Sequence, residues 1–341
     1  KKIPMIHKIL VTLGPSSMTE DVVRRCTDMG VYVFRINLSH TPLEAVAPAI
    51  EKIRSWTNVP ICLDSEGAQL RNQKMASEAV TFIEGETVAI HFEPVVGDAN
   101  NISFAPKNIA RQFIVGDEIN IDFDHVRLRV TGTNDDEATA IVTSGGAVGS
   151  NKAADIQRDL DFEPLTDKDT KAIKVGLDLG IKNFALSFAN TPEDVDKMRA
   201  VCGPDATIIC KIESPSGLIN LEGIVERADE ILIDRGDLSR KIPIAKVPFL
   251  QRRIISFARS RKTPVFVATN LLESMVTRKS PTRAEVNDVA STLLMGADGL
   301  VLAAETAIGN YPVEAVTMIR DLISESEMWT PDTSLTEILG A

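Results

Sequence analysis

The chain has 341 residues, of which 44% are hydrophobic and 25% charged, and its formal net charge is −11. That composition is ordinary for a soluble globular protein. The acidity argues against an extended nucleic-acid surface, and no stretch nears the roughly 18 to 20 apolar residues of a membrane span. The first residues turn from basic to strand-like within a few positions, without a signal-peptide core. Cys26, Cys62, Cys202 and Cys210 have no CxxC spacing and lie in or beside apolar runs, which predicts buried free thiols and a cytoplasmic location.

Short apolar runs alternate with amphipathic segments, the βα order of a parallel sheet. The runs predict strands at 8–13, 32–36, 61–64, 183–188, 207–211, 230–234, 264–268 and 299–302. Helical patterns fall at 20–29, 43–55, 167–179, 192–201, 218–228, 245–261, 283–295 and 313–327. In 245–261 the apolar set Val247, Leu250, Ile254, Phe257 and Ala258 recurs at helical spacing between arginines. Thr282 followed by Glu285 predicts a capping box. Eight strand–helix units favour a closed (β/α)8 barrel over an open sheet, and no GxGxxG follows an early strand. The segment 72–163 breaks the order. Short β runs at 81–91, 102–104, 118–123, 126–131 and 138–142, separated by turn residues, predict a small all-β domain inserted after the third strand. The barrel is then expected over 1–71 and 164–328, with 329–341 as a tail.

A barrel presents its chemistry at the carboxyl ends of its strands. There the chain offers Arg35 to His40, Asp64 to Gly67 with Arg71, Lys211 to Glu213, Arg235 to Leu238, Thr269-Asn270 and Glu305-Thr306. Singly, Glu213 or Asp237 reads as a salt-bridge or capping carboxylate. Together at one mouth with Lys211 and two arginines, they suit Mg²⁺ or Mn²⁺ and a phosphoryl group whose charge must be balanced.

The segments 13–17, 35–40, 64–71, 211–213, 235–238, 268–275 (ATNLLESM), 280–288 (SPTRAEVND) and 305–312 (ETAIGNYP) resemble, in order, the motifs of the pyruvate kinase family. The resemblance spans nearly the whole chain. It implies a TIM-type barrel with a β lid, and phosphoryl transfer between phosphoenolpyruvate and ADP with Mg²⁺ or Mn²⁺ and K⁺. Position by position, it implies Glu213 and Asp237 as ligands of the divalent ion. Lys211 would face the moving phosphoryl group and Arg35 a phosphate oxygen. Arg35, His40 and Lys152 would face the nucleotide. The N–H groups of Gly236 and Asp237, with Arg71 and Thr269, would bind the substrate, Thr269 lying in the proton path. Asn37, Ser39, Asp64 and Ser65 would hold the monovalent ion, and 280–288 would serve a homodimer through the barrel.

Departures from the family pattern qualify these expectations. Asp234 replaces the small residue before Arg-Gly-Asp, putting a negative charge beside the expected carboxylate site. Glu66 replaces a lysine and Gln69 the glutamate linked to K⁺ dependence. Asn190 replaces an arginine, and 153–158 lacks the hinge motif. Asp122-Phe123-Asp124 stands for an acidic pair with glycine, and Ala303-Ala304 for a small polar pair. The further α/β domain usual in the family is not expected here. Two other readings stay open: metal-dependent enolate chemistry of lyase or aldolase type on a pyruvate-like substrate, and a catalytically poor binding or regulatory homologue.

Overall fold

The computed structural model describes residues 7–122 and 125–340. The chain divides into two compact units, Lys1–Gly67 with Pro164–Ala341, and Ala68–Glu163. In the first unit eight strands, numbered one to eight in chain order, run Lys8–Leu13, Val33–Asn37, Ile61–Asp64, Asn183–Leu186, Thr207–Ile212, Glu230–Asp234, Val265–Ala268 and Gly299–Leu302. Every neighbouring pair is parallel, and strand one pairs with both strand two and strand eight, so the sheet closes without an edge.

Strand periodicity divides the core in two. In strand five, Ile208, Cys210 and Ile212 pack with the helices, whereas Ile209 faces the barrel interior with Leu10, Val33, Cys62, Ala185, Leu232, Phe266, Ala268 and Val301. Successive side chains of a strand point to opposite faces. The residue two beyond each interior apolar one is therefore the next inward position: Arg35 after Val33, Asp64 after Cys62, Lys211 after Ile209 and Asp234 after Leu232. The interior is apolar at its base and charged at its carboxyl rim, and that change of polarity positions the site.

The helices are fixed by local chemistry at their first turns. Thr166, Thr191 and Thr282 each form a capping box with the acid three residues on, as 282–285 predicts. Asp169 also accepts the N–H groups of Glu66 (2.7 Å) and Gly67 (3.0 Å), pinning the loop after strand three to the first turn of helix Asp167–Asp178. The pattern at 218–228 resolves into two helices, Pro215–Ile219 and Leu221–Arg227, meeting at Asn220. The tail carries a short helix, Leu335–Leu339. All four cysteines are buried and free. Among the described residues, no helix is long and apolar enough to cross a membrane.

The second unit has a seven-stranded sheet in the order Ala154–Ile156, Glu118–Ile121, Val126–Thr133, Glu137–Ser144, Thr87–His91, Asn101–Ala105, Arg71–Asn72, and a two-stranded ribbon of Gly146–Val148 with Val80–Phe82. Arg71 thus belongs to this unit, on its first short strand, and not to the barrel. The predicted run 81–91 is broken by the turn at Gly85, whose φ of 88° suits a residue without Cβ. Of the predicted strand 118–123, Phe123 lies outside the described residues, as does Asp124.

Candidate active site

The charged rim is built around Lys211. Its ammonium lies 3.3 Å from Asp64 Oδ1 and 3.0 Å from Glu213 Oε1, with its residue only 7% exposed. Arg35 Nη2 reaches the other Asp64 oxygen at 2.6 Å. Burial alone would discharge Lys211, but the Asp64 and Glu213 carboxylates outweigh it and hold its pKa above the ordinary lysine value. Lys211 is a fixed cation in a site nearly closed to solvent.

Glu213, 2% exposed, accepts the Phe188 N–H on Oε2 at 2.7 Å. Its Oε1 meets Lys211 as an ion pair without hydrogen-bond alignment and has no other partner. Burial pushes the Glu213 carboxyl up to about 8. Asp237 is also raised, by burial and then by the neighbouring Asp234 charge. Oxygens of Glu213, Asp234 and Asp237 lie within 4.8 Å of one another. Three cations, Arg35, Lys211 and Arg240 (3.5 Å from Asp237), stand here against four carboxyls, Asp64, Glu213, Asp234 and Asp237, a formal excess of one negative charge. Clustered hard oxygens, one of them buried and accepting no hydrogen bond, fit Mg²⁺ or Mn²⁺.

Asp234 ends strand six and caps the helix Arg235–Lys241. Its Oδ1 accepts the N–H groups of Gly236 (3.0 Å) and Asp237 (3.3 Å) and the hydroxyl of Thr269 (2.7 Å). Burial works to raise its pKa. The Lys211 charge, the Thr269 hydroxyl and the Asp237 N–H together prevail and set it below the ordinary value. Thr269 has φ 79° and Asn270 φ 56°, and a β-branched residue in that region is strained. Arg235 holds the strained turn: its guanidinium donates to the Thr269 carbonyl (2.7 Å) and pairs with Asp288 at 2.8 Å. Gly236 is required there, because a Cβ would stand 2.6 Å from Thr269 Cγ2.

The family model described as "Pyruvate kinase, barrel domain" matches residues 5–316. The chain belongs to the pyruvate kinase family. It is 36% identical over 341 residues to a pyruvate kinase of Mycobacterium tuberculosis, covering 97% of this chain and 72% of that protein. A pyruvate kinase of Thermotoga maritima is 35% identical, with 94% and 71% covered, and one of Thermococcus litoralis 34% identical, with 94% and 69% covered.

Against the pyruvate kinase pattern, the structure brings Arg35, Asp64, Lys211, Glu213, Asp237 and Thr269 to one rim. The Gly236 and Asp237 N–H groups, which the pattern gives to a substrate carboxylate, instead donate to Asp234. The four residues expected to hold a monovalent ion lie at the ends of strands two and three (Asn37, Asp64) and just beyond them (Ser39, Ser65). Asn37 is in register with Asp64, its Oδ1 accepts the Ser39 N–H (2.9 Å), and Ser65 Oγ accepts the Ser187 N–H (2.9 Å). Close by, the Lys168 ammonium donates to the Leu38 carbonyl at 2.5 Å and lies 3.5 Å from Glu66. Sequence spacing gave no signal for that lysine, which comes from a helix 130 positions away. His40 is exposed on the turn after strand two. Glu305 serves structure: its two oxygens accept the Leu272 and Ala303 N–H groups. Arg71 and Lys152 lie in the inserted unit. There Arg71 donates to the Asn151 carbonyl (3.0 Å), and Lys152 lies 3.6 Å from Asp122.

Proposed function

We propose that this chain transfers a phosphoryl group between an enol phosphate of the phosphoenolpyruvate type and ADP. The observation that carries this reading is the buried Lys211 ammonium held between Asp64 and Glu213, with carboxylate oxygens of Glu213, Asp234 and Asp237 within 4.8 Å of one another. Glu213 and Asp237 would hold Mg²⁺ or Mn²⁺, which when bound supplies positive charge to phosphoryl oxygens. Lys211 is fixed before the reaction and needs no reorganisation as negative charge develops on the transferred group. Arg35, oriented by Asp64, holds a phosphate oxygen. Thr269, held by its strained backbone and its bond to Asp234, places a hydroxyl where a proton can pass to the enolate carbon.

The same reading gives Arg71 a substrate contact and His40 and Lys152 nucleotide contacts. It gives Asn37, Ser39, Asp64 and Ser65 a K⁺ ion. It also includes a cytoplasmic location and a homodimer through the exposed start of helix Arg283–Leu294. The test is formation of pyruvate from phosphoenolpyruvate and ADP, coupled to lactate formation, with and without Mg²⁺. Metal- and nucleotide-dependent turnover supports the proposal. Turnover that needs metal but no nucleotide would instead support enolate chemistry, and metal binding with no turnover a binding protein.

A further inference from the structure

The Asp234 carboxylate has more partners than a helix cap requires. A serine could satisfy the Gly236 and Asp237 N–H groups without bringing a charge to the site. Asp234 is an inward position of strand six, continuing the interior face of Leu232. All three hydrogen bonds described for it converge on Oδ1, which leaves Oδ2 for another partner. One of its oxygens lies within 4.8 Å of an oxygen of Glu213 and one of Asp237. Three carboxyls this close repel one another unless a cation stands among them. Beyond its 3.0 Å ion pair with Lys211, Glu213 Oε1 is buried and accepts no hydrogen bond, which leaves it a ligand position for that cation.

We propose that Asp234 is a built-in carboxylate of this site: it adds a third anionic oxygen toward the divalent ion and occupies the two N–H groups that would otherwise receive a carboxylate of the substrate. The inference rests on the phosphoryl-transfer reading and narrows its substrate class. A ligand bearing its own carboxylate must displace Asp234 from Gly236 and Asp237 and bring a further negative charge beside it. The site therefore favours a phosphoryl carrier with no carboxylate next to the reacting carbon, and binds phosphoenolpyruvate weakly.

Mn²⁺ titration by calorimetry, on the full chain and on Asp234→Ala and Asp234→Asn, separates the possibilities. Asn keeps a capping oxygen and removes the charge, and a melting curve confirms that each variant folds. Both variants should bind Mn²⁺ about 10- to 100-fold more weakly than the native chain. Oxalate, titrated next as a dicarboxylate probe with Mn²⁺ saturating, should bind Asp234→Ala at least about tenfold more tightly than the native chain, one step of roughly 1.4 kcal/mol. Equal Mn²⁺ affinity in all three proteins, or oxalate bound as tightly by the native chain, overturns the inference while the metal site stands. A native chain that binds no Mn²⁺ overturns both this inference and the reading beneath it.

Discussion

Replacing Lys211 by methionine keeps an unbranched side chain one atom shorter and removes its charge. The ammonium sits 3.0 Å from Glu213 and 3.3 Å from Asp64, so a phosphoryl oxygen entering the same rim would meet it at similar range. At an effective dielectric of about 20, unit charges 3 Å apart interact by about 5 kcal/mol. Only the part that grows in the transition state speeds the reaction, about 3 to 4 kcal/mol by analogy with fixed oxyanion donors. The expected loss in kcat is therefore about 10²- to 10³-fold. Breaking a buried pair commonly costs about 3–5 kcal/mol of stability because a charge is left alone. Here neither partner is stranded. Arg35 still meets Asp64 at 2.6 Å, and Glu213, whose carboxyl burial already pushes up and the Lys211 charge pulls down, can take up a proton once the ammonium is gone. The melting temperature should fall by only a few degrees, consistent with about 1–2 kcal/mol. Steady-state kinetics at saturating phosphoenolpyruvate and Mg²⁺, with a melting curve on the same preparation, tests both halves. A kcat within threefold of the native value would refute the role given to Lys211. An unfolded variant would refute the claim that its charge serves chemistry more than stability.

Two further expectations concern the scaffold. Asp169→Ala removes the partner of the Thr166 capping box together with the acceptor for Glu66 and Gly67, and should lower stability by about 2–3 kcal/mol in a urea melt. A loss below about 0.5 kcal/mol would mean that the loop after strand three is held by other contacts. Burial favours the neutral thiol and pushes Cys26 and Cys202 up to about 12, with Cys62 and Cys210 also raised. Thiolate is therefore scarce in the native protein from pH 7 to 9, and an aromatic disulfide reagent should label none of the four until the chain is unfolded. Rapid labelling of any one in the native state, rising with pH around an ordinary thiol pKa, would contradict its placement.

Much of the barrel was legible because its strands are short apolar runs whose alternation survives without tertiary help. The period of two that buries Ile209 inward also turns Lys211 inward, so the charged rim could be read from the ends of those runs. The insert was less legible: strands of three residues, such as Gly146–Val148 and Ala154–Ile156, are too short to carry a period. The amphipathic window at 218–228 hid a break at Asn220, which caps the end of one short helix and the start of the next. Asp234 was visible as a charge out of place, but its bonds to Gly236, Asp237 and Thr269 depend on a helix beginning directly at Arg235. No pattern of hydrophobicity announced that start. Lys168 could not have been found at all, because only the pairing of strands two and three and the packing of the helices beside them bring it to Leu38.

The most direct measurement is anomalous diffraction from a crystal of this chain soaked in Mn²⁺. The account predicts one strong peak bounded by carboxylate oxygens of Glu213 and Asp237, with the Lys211 ammonium beside it. A soaked crystal with no density among those carboxylates, or with its peak elsewhere, would contradict it.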